Sequence, residues 1–83
     1  MLKAYSCFNG YQGGHPGDGC LLVFAETRNK ARFMASFDIA DGEYEFTYAR
    51  RAAGYDRFAG DEPNMVLTND ELPDGVEFYL EYP

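Results

Sequence analysis

Two stretches of the chain alternate strictly between apolar and polar positions. In Glu43–Ala49, Tyr44, Phe46 and Tyr48 fall on one side and Glu43, Glu45 and Thr47 on the other, the period of two that marks a half-buried strand. Val76–Tyr82 repeats the pattern, with Val76, Phe78, Leu80 and Tyr82 directed inward and Glu77, Tyr79 and Glu81 outward; Pro73-Asp74-Gly75 before it supplies turn chemistry. Leu2–Phe8 alternates more loosely, and Leu21–Ala25 is a continuous apolar run of strand length. Between these last two, Asn9–Gly19 holds five glycines and Pro16, a composition suited only to a turn or loop because glycine adds no side-chain packing. An antiparallel hairpin with a long tip is predicted.

The period changes over Glu26–Phe37. Ala31, Met34 and Ala35 share one helical face, and Phe33 and Phe37 lie four apart beside it. Thr27 is placed to cap the first turn. The spacing predicts a helix from about Thr27 to Phe37 that docks through Ala31, Met34 and Phe37, with Arg28 and Arg32 on a basic outer edge. Arg50–Leu72 has no clear period; Tyr55, Phe58, Met65, Val66 and Leu67 are its candidate anchors, and Thr68–Leu72 can form a single helical turn. Together these elements predict one small α+β domain over residues 1–83: a mostly antiparallel sheet of about four strands with one helix packed on a face.

The chain is 46% apolar and 17% aromatic, enough to close a core and too rich in large side chains for a disordered segment. No apolar run approaches the roughly 20 residues that span a bilayer, and the start lacks the long apolar segment of a secretion signal; a soluble, cytoplasmic protein is expected. Fourteen acidic residues against seven basic ones give a formal charge of −7, which repels nucleic-acid phosphates and attracts basic protein surfaces. The charge is segregated: Asp61–Pro83 carries seven carboxylate side chains and no Lys, Arg or His.

Cys7, His15 and Cys20 bracket the glycine-rich loop. Four readings stand: a zinc site completed by Asp18, a disulfide across the hairpin, a Cys–His nucleophile pair for which the loop offers no oriented third group, or two reduced structural thiols, the last favoured because no tight Cys-x-x-Cys pair is present. The loop matches neither dinucleotide-binding nor P-loop spacing. No catalytic motif emerges, so neither an enzyme nor a cofactor is expected. The outward positions of the two alternating strands are more informative. Glu43 and Glu45 lie about 7 Å apart along a strand, and Glu77 and Glu81 about 13 Å. On neighbouring strands they would form an acidic field with Tyr79 as an interface anchor. Like charges facing one another across strands are destabilising, so a basic partner is one reason to keep them and a solvated face is the other.

Val23-Phe24-Ala25-Glu26-Thr27-Arg28-Asn29-Lys30-Ala31-Arg32, preceded by Tyr5-x-Cys7 and followed by Arg50-Arg51-Ala52-Ala53-Gly54-Tyr55-Asp56-Arg57, resembles small accessory proteins of bacteriophages and prophages. The resemblance covers roughly residues 1–57 and carries no established activity, so it transfers no catalytic residue. It implies a phage gene product acting in the cytoplasm of a bacterial host. With the acidity, the expectation is an inhibitor of the anti-CRISPR type that binds a basic host protein or nucleoprotein complex through Glu43, Glu45, Glu77, Tyr79 and Glu81, without contacting nucleic acid or membrane. The alternatives are a zinc- or thiol-dependent module centred on Cys7, His15 and Cys20, and a phage structural or accessory protein with a self-association surface.

Overall fold

Backbone pairing in the first half follows the hairpin the sequence predicts. The computed structural model describes residues 1–8, 20–39 and 47–78. Strand β1, Lys3–Phe8, pairs antiparallel with β2, Cys20–Ala25, in a register that sets Tyr5 opposite Val23 and Cys7 opposite Leu21. Helix α1, Arg28–Ile39, follows. Then come β3, Tyr48–Arg51, a 3₁₀ helix over Ala53–Phe58, β4, Asn64–Val66, and a second 3₁₀ helix over Asn69–Glu71. The four strands form one sheet in the order β3-β1-β2-β4 with every pairing antiparallel. The α+β architecture of four strands and one helix is thus the one expected.

Both faces of the central strands are buried. On one side Tyr5, Cys7, Leu21, Val23 and Ala25 meet Ala31 and Ala35 of α1. On the other, Ala4, Cys20, Leu22 and Phe24 meet Val66, Leu72 and Phe78, with Tyr55 and Phe58 of the first 3₁₀ helix packed against them. Burial on both faces is what makes β2 read as an unbroken apolar run rather than an alternation.

Helix α1 starts where Thr27 caps it: the Lys30 N–H donates to Thr27 Oγ1 at 3.1 Å, and the Ala31 N–H to the Thr27 carbonyl at 3.1 Å. Ala31 and Ala35 are wholly buried, and such short side chains bring the helix close to the sheet. Phe37 does not dock as the spacing predicts. At 3.6 residues per turn it lies about 160° around the helix from Ala35; it is 62% exposed and Phe33 57%, the two rings meeting edge to face at 5.2 Å. Arg32 likewise leaves the basic outer edge. Its Nε donates to the Thr47 carbonyl at 2.8 Å and ties α1 to the start of β3.

The second half departs further from the alternation. Thr47, expected to face out, is fully buried, and Tyr48, expected to face in, is 47% exposed. The reason is that β3 is an outer strand: Tyr48 stands beside the sheet's end, stacked on Phe8 at 5.8 Å, while Ala49 packs toward α1. Val76, Glu77 and Phe78 keep their in–out order, half-buried, exposed and buried, yet form no strand. Side chains hold their backbone instead. The Phe78 N–H donates to Asn69 Oδ1 at 2.9 Å, Asn69 Nδ2 donates to the Phe78 carbonyl at 3.3 Å, and the Tyr55 hydroxyl donates to the Glu77 carbonyl at 2.8 Å. The fourth strand is β4, taken from the stretch without a period, too short for an alternation to show. Among the described residues, no helix is long and apolar enough to cross a membrane.

Candidate functional site

The acid-rich segment covers the sheet face opposite α1, and three local devices set its carboxylates. The second 3₁₀ helix begins in a capping box: Glu71 Oε2 accepts from the Leu67 and Thr68 N–H groups at 2.8 and 3.0 Å. Glu71 is therefore engaged in structure. A tight turn follows, closed by the Val76 N–H donating to the Pro73 carbonyl at 3.0 Å. Gly75 takes φ +82° there, a conformation that Cβ-bearing residues rarely adopt. Finally, Phe78 anchors the segment in the core, edge-on to Tyr55 at 5.4 Å.

Between capping box and anchor, Asp70, Asp74 and Glu77 line one shallow groove of about 230 Å³ whose floor includes Leu72 and Val76. All three acids are exposed, and none has an ion-pair partner among the described residues. Glu77 also borders a second groove, of about 400 Å³, which Arg57 lines as well, its guanidinium 4.8 Å from the Phe58 ring centre. Of the site residues predicted from sequence, Glu77 is thus exposed at an acidic groove, on a covering segment rather than a strand face. Glu43, Glu45, Tyr79 and Glu81 lie outside the described residues. Asp70 and Asp74 are the additions. The basic-free run from Asp61 signalled them, but only the turn and the capping box decide which of its acids share a groove.

The thiols are kept apart. Cys7 packs on the α1 side of the sheet and Cys20 on the opposite side, both with no exposed surface. Adjacent strands in this register cannot bring the two sulfur atoms to one metal ion or one disulfide without turning a strand over. Neither forms a disulfide, and burial pushes Cys7 up to about 12 although Arg32 nearby pulls the other way. His15 and Asp18 lie outside the described residues, and among the described ones no three His, Cys, Asp or Glu side chains are grouped to hold a metal.

A groove of about 680 Å³ runs beside α1 and is lined mainly by Ala25, Phe33, Met34 and Pro63, with Glu26 and Lys30 at its rim. Those two rim charges pair with each other at 3.4 Å on the surface, an arrangement of small energetic weight. Among the described residues, no Ser, Thr, Cys or His side chain lines this groove. A comparison with family models, with curated proteins and with solved structures finds no match to this chain.

Proposed function

We propose that the protein works by binding: an acidic inhibitor that lays its carboxylate groove on a basic, nucleic-acid-binding surface of a host defence or regulatory protein and occupies positions meant for phosphates. The observation that carries this reading is the grouping of Asp70, Asp74 and Glu77 around one groove with no cation paired to them among the described residues. Uncompensated like charges weaken a fold modestly, while on binding they steer toward and match a basic surface. Val76, half-buried at the groove, adds a small apolar contact to the charges. The same reading includes Glu43, Glu45, Tyr79 and Glu81 as further contacts, and it places the partner in a bacterial cytoplasm by the resemblance to phage accessory proteins.

The test compares the wild-type chain with a variant carrying Asp70→Lys, Asp74→Lys and Glu77→Lys. Immobilised wild-type protein is expected to retain a basic nucleic-acid-binding protein from bacterial lysate, to release it as salt rises, and to displace nucleic acid from it in a direct competition. The triple variant is expected to fold and to lose all three properties. Capture that survives the reversal, or a captured protein whose nucleic-acid binding is unaffected, overturns the proposal.

A further inference from the structure

From the outer edge of β3, on a surface separate from the acidic groove, we propose a second binding site: it accepts an extended, acidic segment of a partner protein as an added antiparallel strand. The argument begins with which backbone groups point where. In an antiparallel pair, successive residues direct their N–H and C=O alternately toward and away from the neighbouring strand. The Ala52 N–H donates to the Ala4 carbonyl at 2.9 Å, and Ser6 Oγ donates to the Arg50 carbonyl at 3.3 Å. Tyr48, Arg50 and Ala52 therefore face β1, and Ala49 and Arg51 turn their N–H and C=O groups outward from a strand that ends the sheet. Thr47 belongs to the same outward set, and its carbonyl already receives Arg32 Nε at 2.8 Å. Helix α1 thus closes the edge at Thr47, and among the described residues nothing pairs with it from Ala49 to Arg51.

The side chains along this edge choose the occupant. Arg50 is exposed, has no carboxylate beside it among the described residues, and rests with its guanidinium 5.7 Å from the Phe8 ring centre; Tyr48, on the same face, stacks on that ring. Arg51, on the other face, is neutralised by Asp56 at 2.6 Å. A second copy of this chain pairing β3 to β3 with these outward groups matched would set Arg50 opposite Arg50, and like charges directly across strands repel. A strand with a carboxylate opposite Arg50 and an aromatic or β-branched residue opposite Tyr48 gains both contacts and satisfies the outward backbone groups. In an antiparallel partner the acid precedes the apolar residue by two positions. Arginine and tyrosine are also the side chains most often found at the energetic centres of interfaces.

The probe is a blocked heptapeptide of threonine and valine in which a glutamate lies two residues before a tyrosine, compared with the same peptide bearing lysine for glutamate. Binding is followed by NMR of the full chain. The free protein is expected to exchange the Ala49 and Arg51 amides quickly and those of Tyr48, Arg50 and Ala52 slowly. The glutamate peptide should slow Ala49 and Arg51 at least about tenfold, bind at least about tenfold more tightly than the lysine peptide, and lose a similar factor on Ala49→Pro, which removes an outward N–H and no bond to β1. Should Ala49→Pro fail to fold, the peptide methylated on its pairing amides makes the same comparison with the wild-type chain. No saturable binding at about 1 mM peptide, equal affinity for the two peptides, or resonance changes confined to the acidic groove overturns the proposal. So does protection of Ala49 and Arg51 in the free protein that grows with protein concentration, the sign of a second copy on this edge.

Discussion

Asp56 fastens the start of β1 to β3. Its Oδ1 accepts from the Ala4 N–H and from Arg51 Nη1, both at 2.7 Å, and its Oδ2 from Arg51 Nη2 at 2.6 Å, while the same Arg51 Nη1 reaches the Ala4 carbonyl at 3.1 Å. One carboxylate thus joins β1, β3 and the first 3₁₀ helix. The Arg51 guanidinium above all, and then the Ala4 N–H, hold it at about 2, below its ordinary 3.8. Folding favours the ionised form, so this contribution to stability is full above pH 3.8 and is lost as pH falls through about 2. Asp56→Asn, compared with wild type by urea unfolding from pH 7 downward, is expected to be less stable at pH 7 and to converge on wild type between about pH 4 and pH 2. A constant gap across that range would mean that the amide fails for reasons of packing. Sequence gave no hint of this clamp, because Arg51 and Asp56 stand five apart across a change from strand to 3₁₀ helix, a spacing that no regular period singles out.

At the level of elements, the first half was legible because its signals are local. The Gly-rich stretch implied the β1–β2 hairpin, Thr27 and the 3.6-residue period implied α1, and both are observed. Which side of the helix docks was not settled by the period alone, since Phe33 and Phe37 lie next to the buried stripe in sequence but away from it in space. The second half was less legible, because Asn69 and Tyr55 side chains, not a ladder, hold Val76–Phe78, and because β4 is only three residues long. The site shared this mixture: the acid-rich run was plain, whereas the grouping of Asp70, Asp74 and Glu77 depends on a turn and a cap. The helix gives the sharpest check. Ala35→Leu inserts bulk where no surface is exposed and should cost about 1–3 kcal/mol. Phe37→Glu replaces an exposed ring and should stay within about 0.5 kcal/mol. Chemical denaturation of the two variants tests this, and the reverse order would show that Phe37 is the docked side chain.

Across the whole molecule, the segregated charge links stability with binding. The chain carries a formal −7, and the Asp61–Phe78 segment sets Asp70, Asp74 and Glu77 around one groove with no ion-pair partner among the described residues. Their mutual repulsion opposes folding and is screened by salt, with a Debye length of about 10 Å at 0.1 M. Raising NaCl from about 0.02 to about 0.3 M should therefore raise the Tm of the wild-type protein. Each reversal of an acid to lysine shifts the formal charge by two units, so the Asp70→Lys, Asp74→Lys, Glu77→Lys variant stands at about −1, with the repulsion at the groove removed. Its Tm should be less sensitive to salt and no lower than that of wild type at the low-salt end. Partner binding through the same carboxylates should respond in the opposite direction, weakening as salt rises, because there the screened interaction is attractive. Thermal unfolding and partner affinity measured over one salt series separate the two effects. A wild-type Tm that falls with added salt would mean that attraction between the acidic segment and the arginines of β3 and the first 3₁₀ helix outweighs repulsion within the segment, and the groove would then owe its charge to the fold.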